Sequence, residues 1–414
     1  SNVYRYATVL ESVKQNLVHL PMVGLFSKNY WFAGYLAIQL KREPAKVIWI
    51  WNKQEIKFKL IMAVTMPRWK CIILGASGLV GQRLQQRLAN HPMFEIAAVA
   101  GSPKSSGKKL SEIPWRLSEP KPVLPELEII DANHQDLAEK CRSLGVKVAF
   151  SGLPSDIAKS VEKLLSDGGI KVFSNASSYR RVKGIPMIIP EINSQHFHNS
   201  LHYCATNCTL IPMALPMAAI SQIAEIKSVS MRSEQALSGA GWELLFDPDA
   251  IAGKQDPEIP GEAEKTAAEL LHVLGVMTQQ EVKPAKFPTD IKCRRVSRLD
   301  GHQVFVKVRT NKVIDPQILE QKLRSISLGK ELPSRPKKAI HIVENIDVTK
   351  HLWSDGENFS SNPNPADDLK IGMSIVVGNI SVDKNLISFS AYSHNTIRGA
   401  AGGLVYLAEH VLTT

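Results

Sequence analysis

The stretch from Trp69 to Pro92 restricts the fold more than any other part of the chain. Trp69–Leu74 reads WKCIIL, an apolar run of strand length. Gly75-Ala76-Ser77-Gly78-Leu79-Val80-Gly81 follows, and then QRLQQRLANHP. In that last run Val80, Leu84 and Leu88 recur at helical spacing, and Pro92 closes it. Strand, glycine turn and helix in this order form the opening unit of a dinucleotide-binding fold. Small residues let the backbone approach a pyrophosphate, and the free N–H groups at the helix start attract its charge. The spacing is GxxGxxG rather than GxGxxG, so the turn alone also fits a tight strand–helix connection that holds no ligand.

Glu95–Ala100 (EIAAVA) reads as the second strand. An NAD site places a carboxylate near the end of that strand, about 20 residues past the glycines, to hold the ribose hydroxyl. Here the loop is Gly101-Ser102-Pro103-Lys104-Ser105-Ser106-Gly107-Lys108-Lys109, with hydroxyls and cations but no carboxylate. A carboxylate would repel a 2′-phosphate, whereas Ser and Lys bind one, so the loop favours NADP over NAD. The bland alternative is a solvated basic loop. Two further strands, Val146–Phe150 and Lys171–Phe173, end in Ser151-Gly152-Leu153-Pro154-Ser155 and Ser174-Asn175-Ala176-Ser177. Small polar residues thus recur at strand C-ends, where an open parallel sheet binds its ligands.

The 414 residues suggest two or three domains at ~150 residues each. Hydrophobic residues make up 44% and charged residues 21%, which excludes a disordered chain or a disulfide miniprotein. The five cysteines are spread out and lack a paired CxxC, so no zinc ribbon or disulfide framework is expected and no metal site is assigned. A reducing, cytoplasmic setting follows from that reading. No apolar run reaches the ~18 residues of a membrane span. The formal charge is +11, without the clustered basic motif of a nucleic-acid binder.

Residues 1–65 differ from the rest. They hold ten of the 27 aromatics and nine Lys/Arg against three Asp/Glu. Segment 46–60 alternates as a strand or hairpin, and Tyr30–Leu40 is expected as a short helix. An authentic extension, a targeting segment or an upstream stretch outside the functional protein all fit, and no activity is assigned here.

Two positions carry chemistry. Cys208 lies in Cys204-Ala205-Thr206-Asn207-Cys208-Thr209, ahead of an apolar helical run. A cysteine at a helix start is expected to gain thiolate character, and the same N–H groups can hold an oxyanion. Pro212 falls in the first turn, whereas Pro216 predicts a kink or a later helix start. A buried structural cysteine is the plain alternative. His302 opens the strand HQVFVKVRT after an Asp300-Gly301 turn. Its imidazole, if near Cys208, suits proton exchange with a thiol. A surface histidine is the plain alternative there.

From residue 68 to 414 the chain resembles the aspartate-β-semialdehyde dehydrogenases, in the subgroup of archaea and fungi. The resemblance rests on GASGLVG (75–81), SPKSSGKK (102–109), SGLPSD (151–156), SNASSYR (174–180), PEIN (190–193), TNCT (206–209), EQALSGAG (234–241), GEAEK (261–265), RVSRLDGH (295–302) and HNTIRGAAGG (394–403). It implies Cys208 as the nucleophile of a thioacyl enzyme and His302 as general acid/base, with Asn207 and Gln235 orienting thiol and substrate. It implies Arg295 on the substrate carboxylate, Glu262 on its ammonium, and Lys265 and Arg180 on phosphate. For NADP it implies Gly75, Ser77, Gly78, Leu79 and Val80 of the turn, Ser102, Lys104 and Ser105 of the basic loop, Ser151 and Gly152, and Asn395 and Gly399. The implied reaction is reductive dephosphorylation of L-aspartyl-4-phosphate to L-aspartate-4-semialdehyde, toward lysine, threonine and methionine.

The implied architecture is α/β: a Rossmann-type NADP-binding domain (66–206 plus 395–414) and a second α+β catalytic and dimerisation domain (207–394), in a homodimer or homotetramer. The proline-bearing stretch 331–370 reads as a long irregular connection. Thr209 and Pro212 are bulkier than the family pattern, and Trp242 stands where tyrosine is common. A malonyl-CoA reductase shares several of these motifs, but Glu262 and Lys265 favour an amino-acid substrate. An inactive paralogue serving in binding or assembly is the reading from another class, and the intact thiol, base and clamp set speaks against it.

Overall fold

The computed structural model describes residues 32–40, 43–51, 61–63, 68–279 and 281–414. The chain divides into two units, residues 1–68 and 69–414. In the first, Phe32–Leu40 pairs antiparallel with Glu43–Trp51, which pairs with Ile61–Ala63. The helix expected over Tyr30–Leu40 is therefore a strand where it is described. Gly34 weakens a helix there, and the aromatic and β-branched partner Glu43–Trp51 supplies a ladder. The rest of segment 46–60, beyond Trp51, lies outside the described residues.

The second unit opens as the glycine motif requires. Strand β1 (Trp69–Leu74) leads into α1 (Leu79–Leu88) and β2 (Phe94–Gly101). Then come β3 (Ile129–Asp131), α2 (Leu137–Ser143), β4 (Val148–Ser151), α3 (Ser155–Asp167), β5 (Lys171–Ser174) and β6 (His202–Cys204). All pairings are parallel, in the order β3-β2-β1-β4-β5-β6. The order reverses between β1 and β4, and a ligand crevice opens at the strand C-ends there. Alternate residues of β1 serve opposite faces. Cys71 and Ile73 join one core with Leu84 and Leu88 of α1, while Ile72 and Leu74 join another with Cys141 of α2 and Val161 of α3. Each fully buried leucine or isoleucine contributes about 1.5–3 kcal/mol.

After the first sheet, α4 (Ile211–Ser221) leads to a mixed sheet. Its strands are β7 (Ile226–Gln235), β8 (Thr289–Arg295), β9 (His302–Thr310), β10 (Ile340–Ile342), β11 (Ile375–Asp383) and β12 (Leu386–Ser393), ordered β8-β7-β9-β12-β11-β10. Helix α4, α5 (Glu262–Val273) and α6 (Pro316–Arg324) share one core with this sheet through Met213, Leu270, Leu319, Val304 and Val306. The helix runs through Pro216 and begins at Ile211, so the later start does not occur. The stretch 331–370 is irregular apart from β10. The last helix, α7 (Gly402–Thr413), follows a wide turn at Ile397–Ala401 and returns to the first sheet, where Leu404, Leu407 and Val411 pack beside α1.

Candidate active site

Cys208 sits in the turn between β6 and α4. The turn is built by Asn207: its side-chain oxygen accepts from the Thr209 N–H at 2.6 Å, and its carbonyl accepts from the Leu210 N–H at 3.2 Å. Asn207 is itself held by α5. Its N–H donates to Glu269 Oε2 at 2.6 Å, and Nδ2 donates to Glu262 Oε1 at 2.9 Å and Thr266 Oγ1 at 3.3 Å. Glu262, Thr266 and Glu269 stand at i, i+4 and i+7 on one helix face. The bulk of Thr209 has a use, because its hydroxyl also donates to Glu262, at 3.2 Å.

His302 comes from the start of β9, ninety-four residues later, and its Nε2 lies 3.4 Å from Cys208 Sγ. Register explains the meeting: His302 pairs with Ser393 on β12, and β7, carrying Gln235, runs along the other side of β9. Gln235 Nε2 lies 3.4 Å from Ser233 Oγ and 3.5 Å from Glu262 Oε1. Arg295, at the end of β8, donates from Nη1 to the Ala236 carbonyl at 2.8 Å. Both Arg295 and His302 border Gly239, where a Cβ would lie 2.9 Å from Arg295 Nη1 and 3.1 Å from His302 Nε2. From the C-terminal segment, Gly399 covers the thiol; a Cβ there would lie 2.7 Å from that of Cys208.

The electrostatics differ from the sequence expectation for the thiol. Burial pushes Cys208 up to about 12, the Glu262 carboxylate pushes the same way, and Arg180 and Arg295 only partly oppose them. Helix α4 begins three residues later, at Ile211. Burial, followed by Arg295 and Arg298, lowers His302 to about 3.

The remaining residues sort by place. Arg180 is engaged: Nη1 donates to Glu269 Oε1 at 3.0 Å and Nη2 to the Asn175 carbonyl at 2.6 Å. Lys265 is exposed on α5. Asn395 is buried and bridges two loops, accepting from the Gly301 N–H at 2.7 Å and donating to Ser238 Oγ at 2.9 Å. Sequence reasoning did not single out Glu269, Thr266, Gly239 or the Ala236 backbone. The i, i+4, i+7 spacing on α5 is the signal that points to the first two.

The dinucleotide crevice has the shape a pyrophosphate needs. Gly75 has φ +79°, and a Cβ there would lie 3.0 Å from the Gly152 carbonyl. Gly78 precedes α1 with no side-chain cap, which leaves the N–H groups around Leu79 and Val80 to a ligand. Ser151, at the end of β4, is buried with no partner for its hydroxyl. The Ser77 carbonyl accepts from the Trp242 indole at 3.1 Å. Ser102 and Lys104 are exposed past β2, while Ser105 is buried and bonds back to the Ser102 carbonyl at 3.0 Å.

This fold and site define an oxidoreductase with a dinucleotide-binding sheet and a cysteine–histidine pair. Residues 70–200 match the family described as semialdehyde dehydrogenase, NAD binding domain. The chain is 32% identical over 358 residues to the aspartate-semialdehyde dehydrogenase of Archaeoglobus fulgidus, covering 83% of this chain and 97% of that one. It is 30% identical to a malonyl CoA reductase (NADP) of Metallosphaera sedula over 82% of this chain and 96% of the relative. The crystal structure of aspartate semialdehyde dehydrogenase with NADP from Candida albicans superposes with a TM-score of 0.68 at 27% identity, covering 83% and 98% of the two chains. The chain belongs to the aspartate-semialdehyde dehydrogenase family.

Proposed function

We propose that this chain interconverts L-aspartyl-4-phosphate and L-aspartate-4-semialdehyde with NADP, through an acyl thioester on Cys208. The observation that carries the reading is the Cys208–His302 contact at 3.4 Å, set between Gly399 and the Arg295 guanidinium. NADPH, when bound along the glycine turn, supplies the hydride. The residues to hold it are Gly75, Ser77, Gly78, Leu79, Val80, Ser151 and Gly152, with Ser102, Lys104 and Ser105 toward the 2′-phosphate and Asn395 and Gly399 toward the ring.

The chain's own groups do the rest. Cys208 attacks the acyl carbon, and an acyl phosphate has a good leaving group. The bond from Arg295 to the Ala236 carbonyl orients its fork for a substrate carboxylate. Glu262 accepts the ammonium, while Asn207 and Gln235 fix the thiol and substrate around it. Lys265 and Arg180 supply positive charge for phosphate. In this reading residues 66–206 plus 395–414 form the cofactor domain and 207–394 the catalytic domain. The exposed sheet face bearing Phe305, Lys307 and Arg309 pairs copies into a homodimer or homotetramer.

The Metallosphaera relative favours one rival, reduction of malonyl-CoA. Glu262 argues against it, because that substrate has no ammonium. Turnover of aspartate semialdehyde with phosphate and NADP⁺, compared with malonyl-CoA and NADPH, decides. Activity confined to malonyl-CoA overturns the proposal.

A further inference from the structure

The chemistry above leaves two sequence features unused, PEIN (190–193) and the arginine of HNTIRGAAGG (394–403), and the fold brings them together. Arg398 Nη2 donates to Glu191 Oε1 at 2.9 Å and to Oε2 at 2.8 Å. The Glu191 side chain has no exposed surface and that of Arg398 is 2% exposed. The guanidinium also lies over the Tyr406 ring of α7, 5.5 Å from its centroid. A cation this deeply buried needs its counterion. We infer that the Glu191–Arg398 pair is a positioning device, which holds the wide turn Ile397–Ala401 where Gly399 meets Cys208. The inference rests on the proposed thioester chemistry and names what keeps the reacting thiol covered.

The backbone on both sides shows how one ion pair can do this. The Ile188 N–H donates to the Cys204 carbonyl at 3.2 Å and the Cys204 N–H to the Pro186 carbonyl at 2.9 Å, so segment 186–188 runs parallel beside β6. Glu191 and Cys208 thus leave from neighbouring, hydrogen-bonded segments. Glu191 is presented by a single helical turn, Pro190–Asn193. Pro190 fixes the first φ of that turn. Asn193 closes it, Oδ1 accepting from the Ile189 N–H at 2.7 Å and Nδ2 donating to the Met187 carbonyl at 2.9 Å.

On the other side, the Gly399 N–H donates to the His394 carbonyl and the Ala401 N–H to the Thr396 carbonyl, both at 3.1 Å. These are the bonds of a π-turn, which carries one residue more than an α-turn and recurs at functional sites. Arg398 directly precedes Gly399, the residue whose added Cβ would strike Cys208. The pair therefore acts through the Gly399 backbone rather than on the reacting atoms. Arg295 and Glu262 belong to β8 and α5, not to this turn, so releasing it leaves the substrate clamp in place.

Glu191→Gln in the full chain tests this, because it keeps the shape and removes the charge. The expected kcat on aspartate semialdehyde with phosphate and NADP⁺ is about 10- to 100-fold lower, with the KM for aspartate semialdehyde little changed. Iodoacetamide is expected to alkylate Cys208 faster than in the wild type, read by mass spectrometry of the Cys208 peptide. Gly399→Ala should then cost much less in the Glu191→Gln background than alone, since both displace the same turn. A pair that only stabilises the fold would lower the urea midpoint and leave kcat and the alkylation rate at wild-type values, which would overturn the inference. Should Glu191→Gln not fold, Arg398→Lys is read in the same way. Failure of both to fold would make the pair structural and overturn it too. Alkylation needs no substrate, so it can fail to change while wild-type turnover still supports the proposed function, and the reverse.

Discussion

Glu269 accepts the backbone N–H of Asn207 at 2.6 Å, and this carboxylate helps tie the Cys208 turn to α5. Its other oxygen pairs with Arg180 at 3.0 Å, and both side chains are largely buried. Glu269→Leu leaves Arg180 without its counterion and the Asn207 N–H without an acceptor. Breaking a buried pair from one side costs about 3–5 kcal/mol. Urea unfolding is expected to show a loss of that order, with a smaller loss for Glu269→Gln. An unchanged midpoint would remove Glu269 from the scaffold.

Gly399 tests how closely the C-terminal segment must approach the thiol. A Cβ there would lie 2.7 Å from that of Cys208, closer than packed carbons tolerate. Gly399→Ala is expected to lower kcat by about 100-fold, the order seen for a displacement of about 1 Å at a reacting group. Circular dichroism should report an intact fold. Full turnover would show that the thiol has more room than this.

The indole of Trp242 donates to the Ser77 carbonyl inside the glycine turn at 3.1 Å. Trp242→Phe removes that bond and keeps an aromatic ring. A net hydrogen bond of about 0.5–1.5 kcal/mol translates into a roughly 2- to 10-fold higher KM for NADP⁺, measured by initial rates. An unchanged KM would make the bond incidental to the cofactor.

Two neutral histidines, His302 buried and His272 half-buried, make the fold acid-sensitive. His302 is lowered to about 3 and His272 to about 4, burial being the first cause for both. In the unfolded chain each ring takes a proton near pH ~6.5. The stability they permit is therefore complete above that pH and is lost as pH falls toward the folded values. The slope is at most about 1.4 kcal/mol per pH unit for the buried His302 ring and smaller for the half-exposed His272, whose shift solvent screens. Urea midpoints measured from pH ~7 down to ~4 should fall more gently in His272→Gln than in the wild type. Parallel slopes would contradict the assignment.

Much of this was legible before the structure, for identifiable reasons. The run from Trp69 to Leu88 carries its own strand, turn and helix signals within one short window. The approach of Cys208 to His302 was not legible from spacing, because it depends on pairing β9 with β12 and on the C-terminal return. Resemblance named the pair without its geometry. Tyr30–Leu40 was misread as helical because its ladder partner, Glu43–Trp51, decides the outcome. The thiol was expected to gain thiolate character at a helix start, but burial and then the Glu262 carboxylate push it up. Arg180, proposed for phosphate, is also anchored by Glu269 and the Asn175 carbonyl, partners that no local sequence signal indicates.

The most direct test of the central claim is turnover of Cys208→Ala on aspartate semialdehyde with phosphate and NADP⁺, beside the wild type and with folding confirmed. The account predicts activity in the wild type and a loss of at least about 10⁴-fold in the variant, the scale expected when a covalent nucleophile is removed. Undiminished turnover without that sulfur would contradict it.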